Sequence, residues 1–233
     1  MSVPPLAVVL MSGGLDSCTT AAIAASGYRL AFLHASYGQR TQVRELRAFE
    51  QLATHFNASS RLVVDLPHLR QIGGSSLTDS SLTVPVTPQT DHATPNTYVP
   101  FRNANLLAVA VSWAEVLGAP AVFTGVHAAD VEYPDCRPQF IAAFNQVVAL
   151  GTREDCRTQV HAPLAGLSKA AIVTRAIELN APLNLTWSCY QREDVACGRC
   201  QSCRSRLEGF LAAGATDPLP YAGGGPEDVH SVR

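Results

Sequence analysis

The run Ala7-Val8-Val9-Leu10-Met11-Ser12-Gly13-Gly14-Leu15-Asp16-Ser17 constrains this chain more than any other, because it joins an apolar strand to a glycine turn and then to a helix start. Gly13 and Gly14 tolerate positive φ and let the backbone approach a ligand closely. The helix that begins near Asp16 points free N–H groups and a positive dipole end at the same place. Ser12 and Ser17 add hydroxyl donors, and Asp16 is a carboxylate able to hold a magnesium ion between phosphates. The run therefore predicts a phosphate cradle. No lysine follows the glycines, which excludes the GxxxxGK[ST] loop.

Near the other end stand Cys189, Cys197, Cys200 and Cys203, within SCYQREDVACGRCQSCRSR. Two-residue spacers are short enough to wrap neighbouring thiols around one cation, and Gly198 supplies the turn between them. The spacing predicts a closed, structural zinc site. The same CxxCxxC step also fits an iron–sulfur cluster with Cys189 as the fourth ligand. Disulfides are not expected: Met1-Ser2-Val3-Pro4-Pro5 is not followed by a charged and then apolar leader, so a reducing, cytoplasmic setting is anticipated.

At 233 residues and 47% hydrophobic content the chain can bury a sizeable core, and its formal net charge of −2 offers no electrostatic footprint for nucleic acid. No apolar stretch reaches membrane-spanning length. Arg199, Arg204 and Arg206, beside the cysteines, read as a solvated helix face or as a site for one anion.

Short apolar runs alternate with amphipathic stretches, the pattern of parallel βα units, so the expected fold is a doubly wound α/β sheet. Strands are predicted at Leu6 to Met11, Leu30 to His34, Leu62 to Val64, Ala121 to Thr124 and Val160 to Ala162. Helices are predicted at Ser17 to Ala25, closed by Gly27, and through Val43, Leu46, Glu50, Ala53 and Phe56. Others are expected over Asn103 to Leu117, Phe140 to Leu150 and Ser168 to Leu179. Pro67 to Pro100, with its prolines and Gly73-Gly74, reads as a long excursion. The expected organisation is an α/β domain over 1–185, a cysteine segment over 186–212 and a loose tail over 213–233.

Ligands of such sheets bind at the carboxyl ends of the strands, and polar residues collect there. Tyr37, Gln39 and Arg40 follow the second strand. Gly125, His127, Asp130, Tyr133, Asp135, Cys136 and Arg137 follow the fourth, and Tyr98, Arg102 and Asn103 precede the long helix.

SGGLDS itself resembles the loop of the N-type ATP pyrophosphatases (adenine nucleotide alpha hydrolase-like). Together with YGQR at Tyr37 to Arg40, GGSSLT at Gly73 to Thr78, TYVPFRN at Thr97 to Asn103 and TGVHAAD at Thr124 to Asp130, it resembles the QueC family of 7-cyano-7-deazaguanine synthases. YPDCRPQFI at Tyr133 to Ile141, HAPLAGLSK at His161 to Lys169 and TWSCY at Thr186 to Tyr190 extend the likeness. One departure is Val131-Glu132, which looks like a shortened form of the family's connection. The resemblance implies a homodimeric enzyme of queuosine biosynthesis that uses ATP, Mg2+ and Zn2+ to turn 7-carboxy-7-deazaguanine and ammonia into the nitrile. It puts the nucleotide on Met11, Ser12, Gly13, Gly14, Leu15, Asp16, Ser17, Cys18 and Thr19, with Asp16, Arg102 and Lys169 as catalytic groups. The substrate set is Tyr37, Gln39, Arg40, Asn103, His127, Asp130, Asp135, Arg137, Trp187 and Tyr190. Rival readings are a relative that passes the same adenylated acid to a protein or other amine, a tRNA-modifying enzyme, and a zinc-knuckle interaction module.

Overall fold

The computed structural model describes residues 3–85, 94–127 and 132–222. Within them β1 (Leu6–Leu10), β2 (Arg29–Ser36), β3 (Ser60–Asp65), β4 (Ala121–Phe123) and β5 (Gln159–His161) form a parallel sheet in the order β3-β2-β1-β4-β5. Alternation along β1 sorts its side chains onto two faces. Ala7 and Val9 pack with Cys18 and Ala21 of α1 (Leu15–Ala24) and with Phe49 and Leu52 of α2 (Gln42–His55). Val8 points the other way, toward Leu107, Ala110 and Ala114 of α4 (Arg102–Leu117) and toward Ile141 and Val148 of α5 (Pro138–Gly151). The expected doubly wound sheet is what forms. Strand order reverses between β1 and β4, which opens a crevice above the end of β1.

Several local expectations need correction. Val43 is 71% exposed and Glu50 is exposed, so the inward stripe of α2 is Ala48, Phe49, Leu52 and Ala53. The cause is the glycine turn: a Cβ built on Gly13 would lie 2.8 Å from the Glu45 carbonyl oxygen and 2.9 Å from Ala48 Cβ, and that contact fixes the helix's rotation. Gly27 is not a left-handed cap. Residues 25–28 close α1 in right-handed turns back to Ala21, Ile23 and Ala24. The excursion holds a short helix, α3 (Pro67–Ile72), begun by proline at its first position and pinned by Leu69 against Tyr37, Leu77 and Val99.

The long helix α4 opens on Phe101 in the left-handed region (φ 57°) and ends on Gly118 at φ 63°. Asp135 accepts the backbone N–H of Asn103 at 2.7 Å, giving one unpaired amide of that opening a carboxylate partner. After α6 (Lys169–Glu178), capped by Ser168, comes α7 (Gln201–Ala212), whose Arg206 is 2% exposed instead of solvated. Its guanidinium meets both Asp217 oxygens, at 2.7 and 3.0 Å, and donates to Thr186 Oγ1 at 2.7 Å. Tyr221 donates its hydroxyl to the same aspartate. The segment 213–222 is therefore anchored and not loose, with Leu219 buried beside it.

Candidate functional site

A cleft of about 490 Å³ lies over the switch point, within the size of ordinary small-molecule sites. Its floor is the loop after β1. Gly13 takes φ +87°, as its sequence context requires, and Ser12 Oγ lies 3.1 Å from Ser17 Oγ. Gly125, after β4, has no room for a side chain: an added Cβ would stand 3.1 Å from the Ser17 nitrogen. That close approach presses the β4 loop against the start of α1. Three elements then converge. Lys169 Nζ, at the head of α6, sits 2.8 and 3.0 Å from the two Asp16 carboxylate oxygens, and 2.8 Å from Nε2 of His127 beyond β4.

The opposite end of the cleft is built from β2's exit and the N-terminus of α4. Arg102 donates to the Tyr37 hydroxyl at 3.0 Å. Burial opposes its charge, and Tyr37, Tyr190 and Cys136 together outweigh burial, so the guanidinium stays above even its ordinary range. Gln39 accepts from the Tyr37 backbone N–H at 2.8 Å and donates to Glu45 at 3.1 Å, while Thr41 donates to the other Glu45 oxygen at 2.8 Å. Burial pushes the Glu45 carboxyl above the usual carboxylate range although both donors pull it down. His34, also lining the cleft, is held below its ordinary value by burial and shares Nδ1 with the Met11 carbonyl at 3.0 Å.

Of the anticipated nucleotide segment, Met11, Ser12, Gly14, Leu15, Asp16 and Ser17 line the cleft. Gly13, Cys18 and Thr19 lie behind it, and burial pushes the Cys18 thiol up to about 12. Of the anticipated substrate residues, Tyr37, Gln39, Arg40, Asn103, His127, Trp187 and Tyr190 line it. Arg40 also clamps the 76–82 loop through the carbonyls of Ser76 and Asp79, at 2.7 and 2.8 Å. Asp135 and Arg137 are not among the lining residues, and Asp130, with Val131, falls outside the described ones. Glu45, Thr97, Ser202 and Ser205 line the cleft and were not anticipated from the sequence.

The four cysteines do come together. Their sulfurs all lie within 4.8 Å of one another, with Cys197 and Cys203 at 3.9 Å. Four thiolates about 2.3 Å from one tetrahedral ion stand about 3.8 Å apart, so the set has the size of a mononuclear zinc site. An iron–sulfur cube would hold its ligands farther apart. Thiol hydrogen bonds from Cys200 and Cys203, joined by the backbone N–H groups of Cys197 and Gln191, hold Cys189 far below its usual range. Donation to Cys189 pushes Cys200 up to about 12. Beyond the sulfurs, the segment reaches the loop: Trp187 N–H donates to the Gly13 carbonyl at 2.8 Å. Arg44 of α2 lies 4.4 Å from the Trp187 ring centre.

A family model described as "Queuosine biosynthesis protein QueC" matches residues 6–214. The chain belongs to the QueC family. Among curated QueC-type relatives, the 7-cyano-7-deazaguanine synthase of Koribacter versatilis (strain Ellin345) is 51% identical over 221 residues, 93% of each chain. That of Methanospirillum hungatei is 49% identical over 217 residues, 92% of this chain and 99% of its own. Among solved structures, the NMN synthetase from Francisella tularensis aligns with a TM-score of 0.49 at 14% identity, over 92% of this chain and 79% of that one. Membership in QueC accounts for the joint presence of glycine turn, cleft and cysteine cluster. No described helix is long and apolar enough to cross a membrane.

Proposed function

We propose that this QueC-family chain is the ATP-dependent ligase that converts 7-carboxy-7-deazaguanine and ammonia into 7-cyano-7-deazaguanine. The observation that carries the reading is Lys169, placed on Asp16 at the mouth of the Gly13-Gly14 turn, in a chain half identical to relatives bearing that synthase name. A carboxylate resists amination because its charge and its oxide leaving group both oppose attack. Transfer of adenylate to its oxygen removes the charge and makes AMP the leaving group, with pyrophosphate released from ATP. The turn after β1 suits pyrophosphate: open N–H groups, the α1 N-terminus and the Ser12 and Ser17 hydroxyls face the place where its charge grows.

Ammonia then attacks the acyl carbon, AMP departs, and an amide results. A second adenylation, on the amide oxygen, lets AMP leave with that oxygen as the nitrogen loses its protons. Lys169, now on Asp16, is placed to turn its ammonium to the phosphates, and the Asp16 carboxylate would then hold a magnesium ion that neutralises their charge. Arg102 supplies a second cation, fixed by Tyr37. The four thiolates would hold zinc, which would staple the C-terminal segment to the loop and not meet substrate. On the same reading the enzyme is a cytoplasmic homodimer without nucleic-acid or membrane partners.

Purified protein incubated with the acid, ATP, magnesium and ammonium should yield the nitrile by mass spectrometry, and only when ATP and ammonium are both present. A stable amide adduct on protein, with no nitrile at any time, would instead make this chain a conjugating relative.

A further inference from the structure

Four carboxylates line the cleft: Asp16, Glu45, Glu132 and Glu208. Asp16 is engaged by Lys169, Glu208 is exposed, and Glu132 borders residues outside the described set. Glu45 differs from all three. It sits half-buried on α2, four residues before Phe49 and seven before Leu52, and its backbone oxygen abuts the glycine turn. Both side-chain oxygens are held, one by Thr41 and the other by Gln39, and both donors are neutral.

An ionised carboxylate offers about four acceptor sites. Two are used here, one on each oxygen, so each oxygen keeps one. Such a group presents two parallel acceptors in a fixed plane, because Gln39 is itself locked to the Tyr37 backbone and Tyr37 to Arg102. The counterpart of that arrangement is a ligand edge with two adjacent N–H donors pointing the same way. The 2-amino-4-oxopyrimidine half of a deazaguanine has this edge in its ring N–H (N1–H in deazaguanine numbering) and exocyclic amine, whereas adenine has no such pair.

We propose that Glu45 is the specificity-determining residue of this site, accepting from the N1–H and 2-amino group of the deazaguanine ring. This rests on the function proposed above, since it names how the same cleft reads the base. A ring lacking the amine leaves one Glu45 acceptor without its donor in the complex, and sites built to pair a substrate donor discriminate against its absence by factors up to about 10⁴–10⁵. Ammonia and ATP gain nothing from the contact.

The test compares two acids, 7-carboxy-7-deazaguanine and its 2-desamino analogue, in the parent and in Glu45→Gln, following acid-dependent pyrophosphate release and the KM of each substrate. The parent should prefer the 2-amino acid by about a hundredfold or more in kcat/KM. Glu45→Gln replaces one acceptor by an NH2 group that opposes the ring's donors. It should raise KM for the 2-amino acid, pull the preference to within about tenfold, and leave KM for ATP and ammonium near parental values. A variant that loses rate on both acids equally, or whose ammonium KM rises instead, would overturn the assignment. So would a parent indifferent to the 2-amino group. A parent that turns over neither acid would overturn the proposed function itself, and a Glu45→Gln melting curve that matches the parent separates recognition from folding.

Discussion

The glycine loop and the cysteine segment touch through the Trp187 backbone N–H and the Gly13 carbonyl, yet they are shaped by opposite means. The loop owes its form to what is missing: no Cβ fits at Gly13 against Glu45 and Ala48, and none fits at Gly125 against α1. Its groups are local in sequence and aimed by backbone alone. The cysteine segment owes its form to what is shared, four sulfurs from residues 189–203 around one point. Damage to the first should therefore appear in turnover and damage to the second in folding.

The largest effect is expected at the sulfurs. Zinc bound by four thiolates contributes on the order of 10 kcal/mol of folding free energy in small metal domains. Cys197→Ser should thus lose the metal and become insoluble or melt far below the parent, while replacements of Cys18, Cys136 and Cys156 keep about one zinc per chain by elemental analysis. Iron with labile sulfide in the parent would refute the zinc assignment.

Lys169→Met sharpens the contrast from the other side. Removing one preorganised charge from a reacting centre costs about 10²–10³ in rate. Product formation should fall by that factor while circular dichroism and melting temperature stay parental, and an active variant would show that Lys169 does not serve the phosphates. Gly13→Ala is the substitution that should break the comparison, because Gly13 holds φ +87°, an added Cβ would stand 2.8 Å from the Glu45 carbonyl oxygen, and the Gly13 carbonyl is what the Trp187 backbone N–H of the cysteine segment donates to. A loss of about 2–3 kcal/mol together with weakened ATP binding is expected, read by thermal unfolding and by calorimetry. Full stability with lost ATP binding would mean that the loop and the cysteine segment are uncoupled.

The smallest effect lies under the loop. His34 is buried, and its folded pKa is below the unfolded value near 6.5. Its stabilisation is complete above that pH and is lost as pH falls, because the unfolded chain then binds the extra proton. As pH falls below about 6.5 the loss approaches, at most, about 1.4 kcal/mol per pH unit until the folded-state pKa is reached. Parent melting temperatures should drop over that range more steeply than those of His34→Gln, and parallel curves would remove His34 from the account.

Where a signal is local, the sequence carried it. Strand, glycine turn and helix start at residues 6–17, and the cysteine spacing, needed no knowledge of neighbours. Rotation of α2 did. Residues 48, 49, 52 and 53 form the buried stripe with Glu45 half-buried beside it, whereas Val43 and Glu50, which the pattern places on the inner face, are exposed, and so Glu45 was read past. Arg206 was misjudged for a similar reason. An arginine on a short helix is usually solvated, and its partner Asp217 lies in a stretch of low apolar content that gave no hint of docking. Asp135 and Arg137 follow a strand end as ligand residues do, but Asp135 spends its carboxylate on the opening of α4.

The bond between Trp187 N–H and the Gly13 carbonyl also orders events in time. A ribosome delivers the glycine turn well before its partner, which follows every described strand of the sheet in chain order. Until then the Gly13 carbonyl lacks that protein donor, and a buried carbonyl left unpaired costs about 1–3 kcal/mol. An unfinished chain, or a finished one whose thiols are oxidised, therefore carries the motif without its final brace.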